Sequence, residues 1–97
     1  MPDDIMQDLR LRFCARLSGD IAALAAAAEA GDRQAIRGVC HRIAGAGGMF
    51  GFAALSAAAS EAEEAIDGGQ TPEMLAPHVA RVLDLAREAT DSVCGAA

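Results

Sequence analysis

Lysine, tryptophan and tyrosine are absent from this chain, and aromatic residues make up only 3% of it. A single-strand nucleic-acid binder would therefore lack the rings on which bases stack. Cations are in the minority: eight arginines face fourteen acidic residues, for a net charge of −6 and a pI of about 4.6. Phosphate backbones demand a basic face, so this balance excludes DNA and RNA as expected partners. No Cys-x-x-Cys pair occurs among Cys14, Cys40 and Cys94. Three widely spaced cysteines argue against a disulfide scaffold and against a zinc site, and they read as small buried hydrophobes of a reducing cytosol. No metal site is expected.

Other absences narrow the chemistry. There is no Walker-type lysine motif, hence no ATP site and no autonomous kinase activity. Neither histidine is preceded by the glutamate of a Glu-x-x-His di-iron signature. Gly45-x-Gly47-x-x-Phe50 lacks the third glycine and the preceding strand of a dinucleotide fingerprint. The start, Met1-Pro2-Asp3-Asp4, is acidic where a signal peptide is basic and then apolar, so the expected location is cytoplasmic. The uncharged run from Ile43 to Ser60 reaches the lower bound of a membrane span, roughly 17–25 residues. It is mostly Ala, Gly and Ser, too weakly hydrophobic to insert, and reads as a buried hairpin. No membrane partner is expected.

What is present points to helices. The chain has 97 residues, enough for a single domain, 1–97, with one modest core. About a quarter of it is alanine, the best helix former. The spacing predicts four helices. The first carries Met6, Leu9, Phe13, Leu17, Ile21, Leu24 and Ala28 at steps of three or four, with Gly19 as a candidate bend or break. The second runs from Arg33 to about Phe50, with Ile36, Val39, Cys40, Ile43, Gly47 and Phe50 inward and Asp32 as its N-cap. The third starts near Ala53 and turns Leu55, Ala59, Ala62 and Ile66 inward, leaving Glu61, Glu63, Glu64 and Asp67 to solvent. The fourth follows Thr71-Pro72 and carries Leu75, Val79, Val82, Ala86, Ala89 and Val93, with Pro77 as a break or kink and Gly95-Ala96-Ala97 as a frayed tail. Four amphipathic helices on short connections form an all-α, antiparallel up-down four-helix bundle.

Folding does not explain the second helix. Gly38, Gly45, Gly47 and Gly48 lie within it. Each costs roughly 0.8–1 kcal/mol relative to Ala, about 3–4 kcal/mol together, a large share of a small domain's net stability of ~5–15 kcal/mol. On a wheel of about 100° per residue, His41 lies roughly 140° from Ile36, outside the core stripe. Gly38, Gly45 and Gly48 fall within about 60° of His41, at i−3, i+4 and i+7, and clear a bare patch around one imidazole. Gly47 points inward and suits a close helix contact. Arg33, Arg37 and Arg42 give this helix a local positive excess, and Arg37 lies at i−4 from His41, which favours an anion there. An accessible imidazole acts as a nucleophile toward an activated phosphoryl group. Cys40 forms no dyad with His41, since neighbours on a helix point about 100° apart. His78, beside the Leu75/Val79 stripe with no glycine around it, reads as a boundary residue.

The segment from His41 through Leu55, HRIAGAGGMFGFAAL, resembles the signature of histidine-containing phosphotransfer (HPt) domains. His41 matches the phospho-acceptor, Ile43 the apolar position, Gly45 the close glycine, Ala46 the small residue, Gly51 the later glycine and Leu55 the leucine of the next helix. Glu61, Glu63 and Glu64 resemble the acidic end of that helix. One position departs: Ala44 stands where the family has a lysine that helps with the phosphoryl oxygens, and Arg37 or Arg42 are the candidate substitutes. The resemblance implies a phosphorelay intermediate. It would accept and donate a phosphoryl group on His41, exchanging it with the aspartate of a response-regulator receiver domain or a hybrid histidine kinase receiver domain. It would bind no cofactor itself, and Mg²⁺ would come with the receiver. Arg37, Gly38, Arg42, Ala44, Gly45, Gly48 and Met49 would form the supporting patch, which would meet the receiver through Met49 and Phe52 unless these two belong to the core. The alternative is an HPt-like binding module that is not phosphorylated and regulates a partner by occlusion.

Overall fold

Only two, three and four residues separate the successive helices, so each helix reverses the one before it. The computed structural model describes residues 2–94, with side chains from residue 4 onward; the expected frayed tail lies outside the described residues. Helix α1 spans Pro2–Ala30, α2 Arg33–Met49, α3 Ala53–Asp67 and α4 Pro72–Cys94. Each packs against its two neighbours around a ring, α1 on α2 and α4, α3 on α2 and α4. The expected all-helical bundle is what forms.

The helix ends follow the local sequence. At the end of α1, Gly31 takes φ +68°, the left-handed conformation that glycine adopts without a Cβ penalty. Its N–H donates to the Ala28 carbonyl at 3.2 Å and that of Asp32 to Ala27 at 3.0 Å, closing a Schellman motif. The Asp32 side chain then accepts from the Ala35 N–H at 3.1 Å and starts α2. Gly51, at φ +83°, repeats the device after α2, with the Phe52 N–H donating to Gly47 at 2.7 Å. Thr71 caps α4, its hydroxyl accepting from the Met74 N–H at 3.3 Å, with Pro72 at the first helical position.

The core is a column of Leu17, Leu24, Cys40, Ile43, Leu55 and Val82, all essentially inaccessible. Ala58, Ala59, Ala62 and Ala65 give α3 a thin inner face, which lets its neighbours close in. Phe13 stacks on Phe52 at 5.6 Å and meets Phe50 at 4.4 Å between ring centroids, sealing the end of the bundle where α2 turns into α3. Phe52 is therefore a lid on the core.

Three expectations are corrected. Gly19 does not interrupt α1, and α4 passes through Pro77 without a break. Proline at that depth removes one bond, to the carbonyl of Glu73, while the flanking turns hold the helix. Met6 and Leu9 continue the α1 stripe but stay 49% and 41% exposed. A helix of 29 residues is about 44 Å long and one of 17 about 26 Å, so α1 overhangs its partner and its first turns have nothing to pack on. Third, the cysteines are not all free: Cys14 on α1 and Cys94 at the end of α4 form a disulfide, with Cα atoms 6.2 Å apart and a sequence separation of 80. Their separation in sequence concealed that α1 and α4 are spatial neighbours.

This pairing is open to a count of thiols. Under non-reducing conditions the native protein should present none to a thiol reagent, because Cys40 is buried. Unfolding without reductant should expose one, and unfolding after reduction all three. Closing so long a loop should stabilise the fold by about 4 kcal/mol in the chain-entropy account, so Cys94→Ser should lose about that much in denaturant unfolding. A full complement of thiols in the unreduced, unfolded protein would refute the bridge.

Candidate functional site

His41 stands in the middle of α2 with 73% of its side chain exposed. Its Nδ1 lies 3.3 Å from both carboxylate oxygens of Glu63 on α3. A carboxylate only accepts, so Nδ1 donates and the neutral ring keeps its lone pair on Nε2. The contact fixes both the orientation and the tautomer of the imidazole.

Glu63 is itself held. Its side chain is only 18% exposed, and Arg37 Nη2 lies 3.2 Å from its Oε2. Arg37 also grips Asp67 bidentately, Nε to Oδ1 at 2.7 Å and Nη2 to Oδ2 at 3.1 Å. The hydrogen bond from Arg37 pulls the Asp67 carboxyl below the usual carboxylate range, and the same bond raises the Arg37 guanidinium. The result is a chain, Asp67–Arg37–Glu63–His41, in which each member positions the next. The sequence suggested Arg37 as an anion site beside His41; its donors instead face two carboxylates.

Arg42 is also engaged. Its Nε donates to Asp20 Oδ1 of α1 at 3.3 Å. Asp20 is 7% exposed, and its Oδ2 has no partner among the described residues. A buried carboxylate with a single partner is costly to strip of it, so Arg42 locks α2 to α1. Ala44 is half-buried, and its carbonyl accepts the Ser56 hydroxyl at 2.8 Å.

The glycines divide. A Cβ on Gly45 would meet nothing within 4 Å, and one on Gly38 only the tip of Arg42 at 4.0 Å, so these two do open space beside His41. Gly48 is exposed as well, and a Cβ there would meet only Ser56 Oγ, in ordinary contact at 3.5 Å. Gly47 points inward as expected, its missing Cβ 3.3 Å from the Ser56 backbone N and 3.4 Å from Leu55 Cγ. Met49 is 80% exposed and belongs to the surface. Cys40 is fully buried, and burial first, then the Glu63 charge, pushes its thiol up to about 11. His78 is half-buried on α4, away from the other histidine. No group of three or more His, Cys, Asp or Glu among the described residues is arranged to hold a metal.

A groove of about 480 Å³ runs between α1 and α2, with Leu9, Arg12 and Arg16 on one wall and His41, Gly45 and Met49 on the other. Sequence reasoning missed Glu63, Asp20, Arg12 and Arg16. Glu63 was placed with the solvated acids, yet it follows Ala59 by four and precedes Ile66 by three, both on the inward stripe. That spacing marked it as a border residue able to reach a neighbouring helix.

Residues 8–92 match the family model described as Hpt domain. Domains of that family are phosphotransfer modules of phosphorelays; they carry phosphoryl groups, are not kinases, and generally exchange them with receiver domains. No curated protein and no solved structure matches the chain.

The division among glycines predicts opposite outcomes for one substitution. Gly45→Ala should raise stability by about 0.8–1 kcal/mol, the helix-propensity gain at an open position. Gly47→Ala should lower it by about 1–3 kcal/mol, because the added methyl presses on backbone of α3 that must shift. Urea unfolding of the two variants measures both. A stabilised Gly47→Ala would show that α2 and α3 are not in close approach.

Proposed function

Because the chain belongs to the Hpt domain family, we propose that His41 accepts and donates a phosphoryl group, exchanging it with the aspartate of receiver domains. The observation that carries this reading is the ring itself: exposed, held through Nδ1 by Glu63, and flanked by open space at Gly38 and Gly45. In the forward step the Nε2 lone pair attacks the phosphorus of a receiver aspartyl phosphate. The N–P bond forms as the P–O bond to the aspartate breaks, and the bonding pair leaves with the carboxylate. Nδ1 keeps its proton throughout, and the Glu63 carboxylate stabilises the positive charge that develops on the imidazole. The return step reverses these changes, with the pair going back to Nε2.

The partners are the receiver domains of response regulators and of hybrid histidine kinases. The receiver brings Mg²⁺; this chain contributes the imidazole and its carboxylate. The acidic balance supports the exclusion of nucleic acid. The proposed setting is the cytoplasm, without a membrane partner; no helix among the described residues is long and apolar enough to cross a membrane. A cytoplasmic setting would expose the Cys14–Cys94 bridge to thiol reductants.

Incubation with a ³²P-labelled, phosphorylated receiver tests the reading. Wild type should take up acid-labile label and His41→Gln none. Glu63→Ala should slow uptake severalfold by freeing the tautomer and removing the charge, and Glu63→Gln, whose neutral amide oxygen still accepts from Nδ1, should slow it less. Tight receiver binding with no label transferred would instead favour the occluding module.

A further inference from the structure

The charge around His41 leaves one cation unassigned. On α2 both nearby arginines are committed, Arg37 to Asp67 and Glu63, and Arg42 to the buried Asp20. Ala44 offers no charge. The groove beside His41 nevertheless contains three arginines and no carboxylate among its lining residues: Arg42, with Arg12 and Arg16 from α1. Arg12 pairs with Asp8 at 3.0 Å in an exposed i,i+4 contact, of the kind that exchanges readily. Arg16 is exposed and makes no ion pair or side-chain hydrogen bond among the described residues. It sits one helical turn from Arg12, on the same wall of the groove.

The orientation of the ring decides what these cations face. Nδ1 is pinned to α3 through Glu63. The opposite edge of the imidazole, carrying Nε2, turns away from α3, and His41 lines the groove on the α1 side. A phosphoryl group on Nε2 brings close to two negative charges and strong acceptor oxygens. Guanidinium is suited to such oxygens because it presents donors in a planar fork.

We propose that Arg16 of α1, seconded by Arg12, binds the phosphoryl oxygens at His41 and stabilises them during transfer, so that the cation missing at Ala44 is supplied across the groove from another helix. This rests on the reading of His41 as the phospho-acceptor. Arg42 is anchored, because swinging it toward the phosphoryl oxygens would break its Nε bond and strand Asp20, whose second oxygen already lacks a partner among the described residues.

Two donors separate the claims: phosphoramidate, a small donor that needs no docking, and a phosphorylated receiver domain. The rate of acid-labile labelling of His41 is followed with each. Arg16→Ala should slow labelling from both donors about tenfold or more, Arg16→Lys less, and Arg12→Ala less again. Arg87→Ala, on α4, should match wild type. Ala44→Lys introduced into Arg16→Ala should recover much of the loss, which a merely structural role for Arg16 would not allow; circular dichroism melts of each variant confirm the fold. Arg16→Ala labelled within about twofold of wild type by both donors would overturn the proposal while leaving His41 as the acceptor. Slowing with the receiver alone would also overturn it, assigning Arg16 to docking. Wild type that takes no label from either donor would remove the reading beneath it.

Discussion

The site depends on how closely α2 approaches α3 at Gly47. A side chain there would press on the Ser56 backbone and Leu55, and the two helices would have to separate. The Ser56 hydroxyl reinforces the contact by donating to the Ala44 carbonyl. That proximity brings Glu63 within hydrogen-bonding distance of His41, two turns of α2 away from the glycine. The imidazole is thus oriented by a residue on another helix. Its geometry is set by packing, and the ring remains open to a partner because no bulky neighbour on its own helix holds it.

Charge is arranged to the same end. An exposed ion pair contributes little to stability, so the Arg37–Asp67 contact is poorly explained as a staple of the fold. Its consequence is positional. Arg37, gripped by Asp67 through Nε and Nη2, turns that same Nη2 toward Glu63, and Glu63 then presents its oxygens to Nδ1. Arg42 serves a different joint. With Asp20 nearly inaccessible, its bond draws α1 against α2 beside the groove and so sets the distance across which α1 side chains face the imidazole. Two arginines flanking the same histidine in sequence therefore serve two different helix interfaces.

Periodicity made the architecture legible. The stripes of Leu17, Leu24, Ile43, Leu55 and Val82 converge in one core because each helix is amphipathic on its own account, and glycine and Thr-Pro signals mark the ends. The patch around His41 was legible for the same reason, since a wheel needs only one helix. Where the reading erred, the missing information lay between helices. Glu63 and Arg37 meet across α2 and α3, Asp20 and Arg42 across α1 and α2, and Cys14 and Cys94 across α1 and α4. A wheel can place a residue on a border but cannot say which border it meets. Met6 and Leu9 fail differently: their spacing is right, but a stripe buries itself only as far as a partner extends.

The glycines at 38 and 45 sharpen the relation between stability and access. In a chain a quarter alanine, the sterically cheap choice at both positions would be one more methyl, and neither would collide with anything in the free protein. The fold therefore does not require them. Glycine at 47 differs, because its absence of a side chain is demanded from within, by α3. A residue whose cost has no return inside the molecule implies a surface that is approached from outside. That argument identifies Gly38 and Gly45 with the reach of a partner toward Nε2. It also explains why the helix carrying the imidazole is held from both sides: α2 gives up intrinsic helix propensity, and the contacts with Ser56 and Asp20 hold it in place instead.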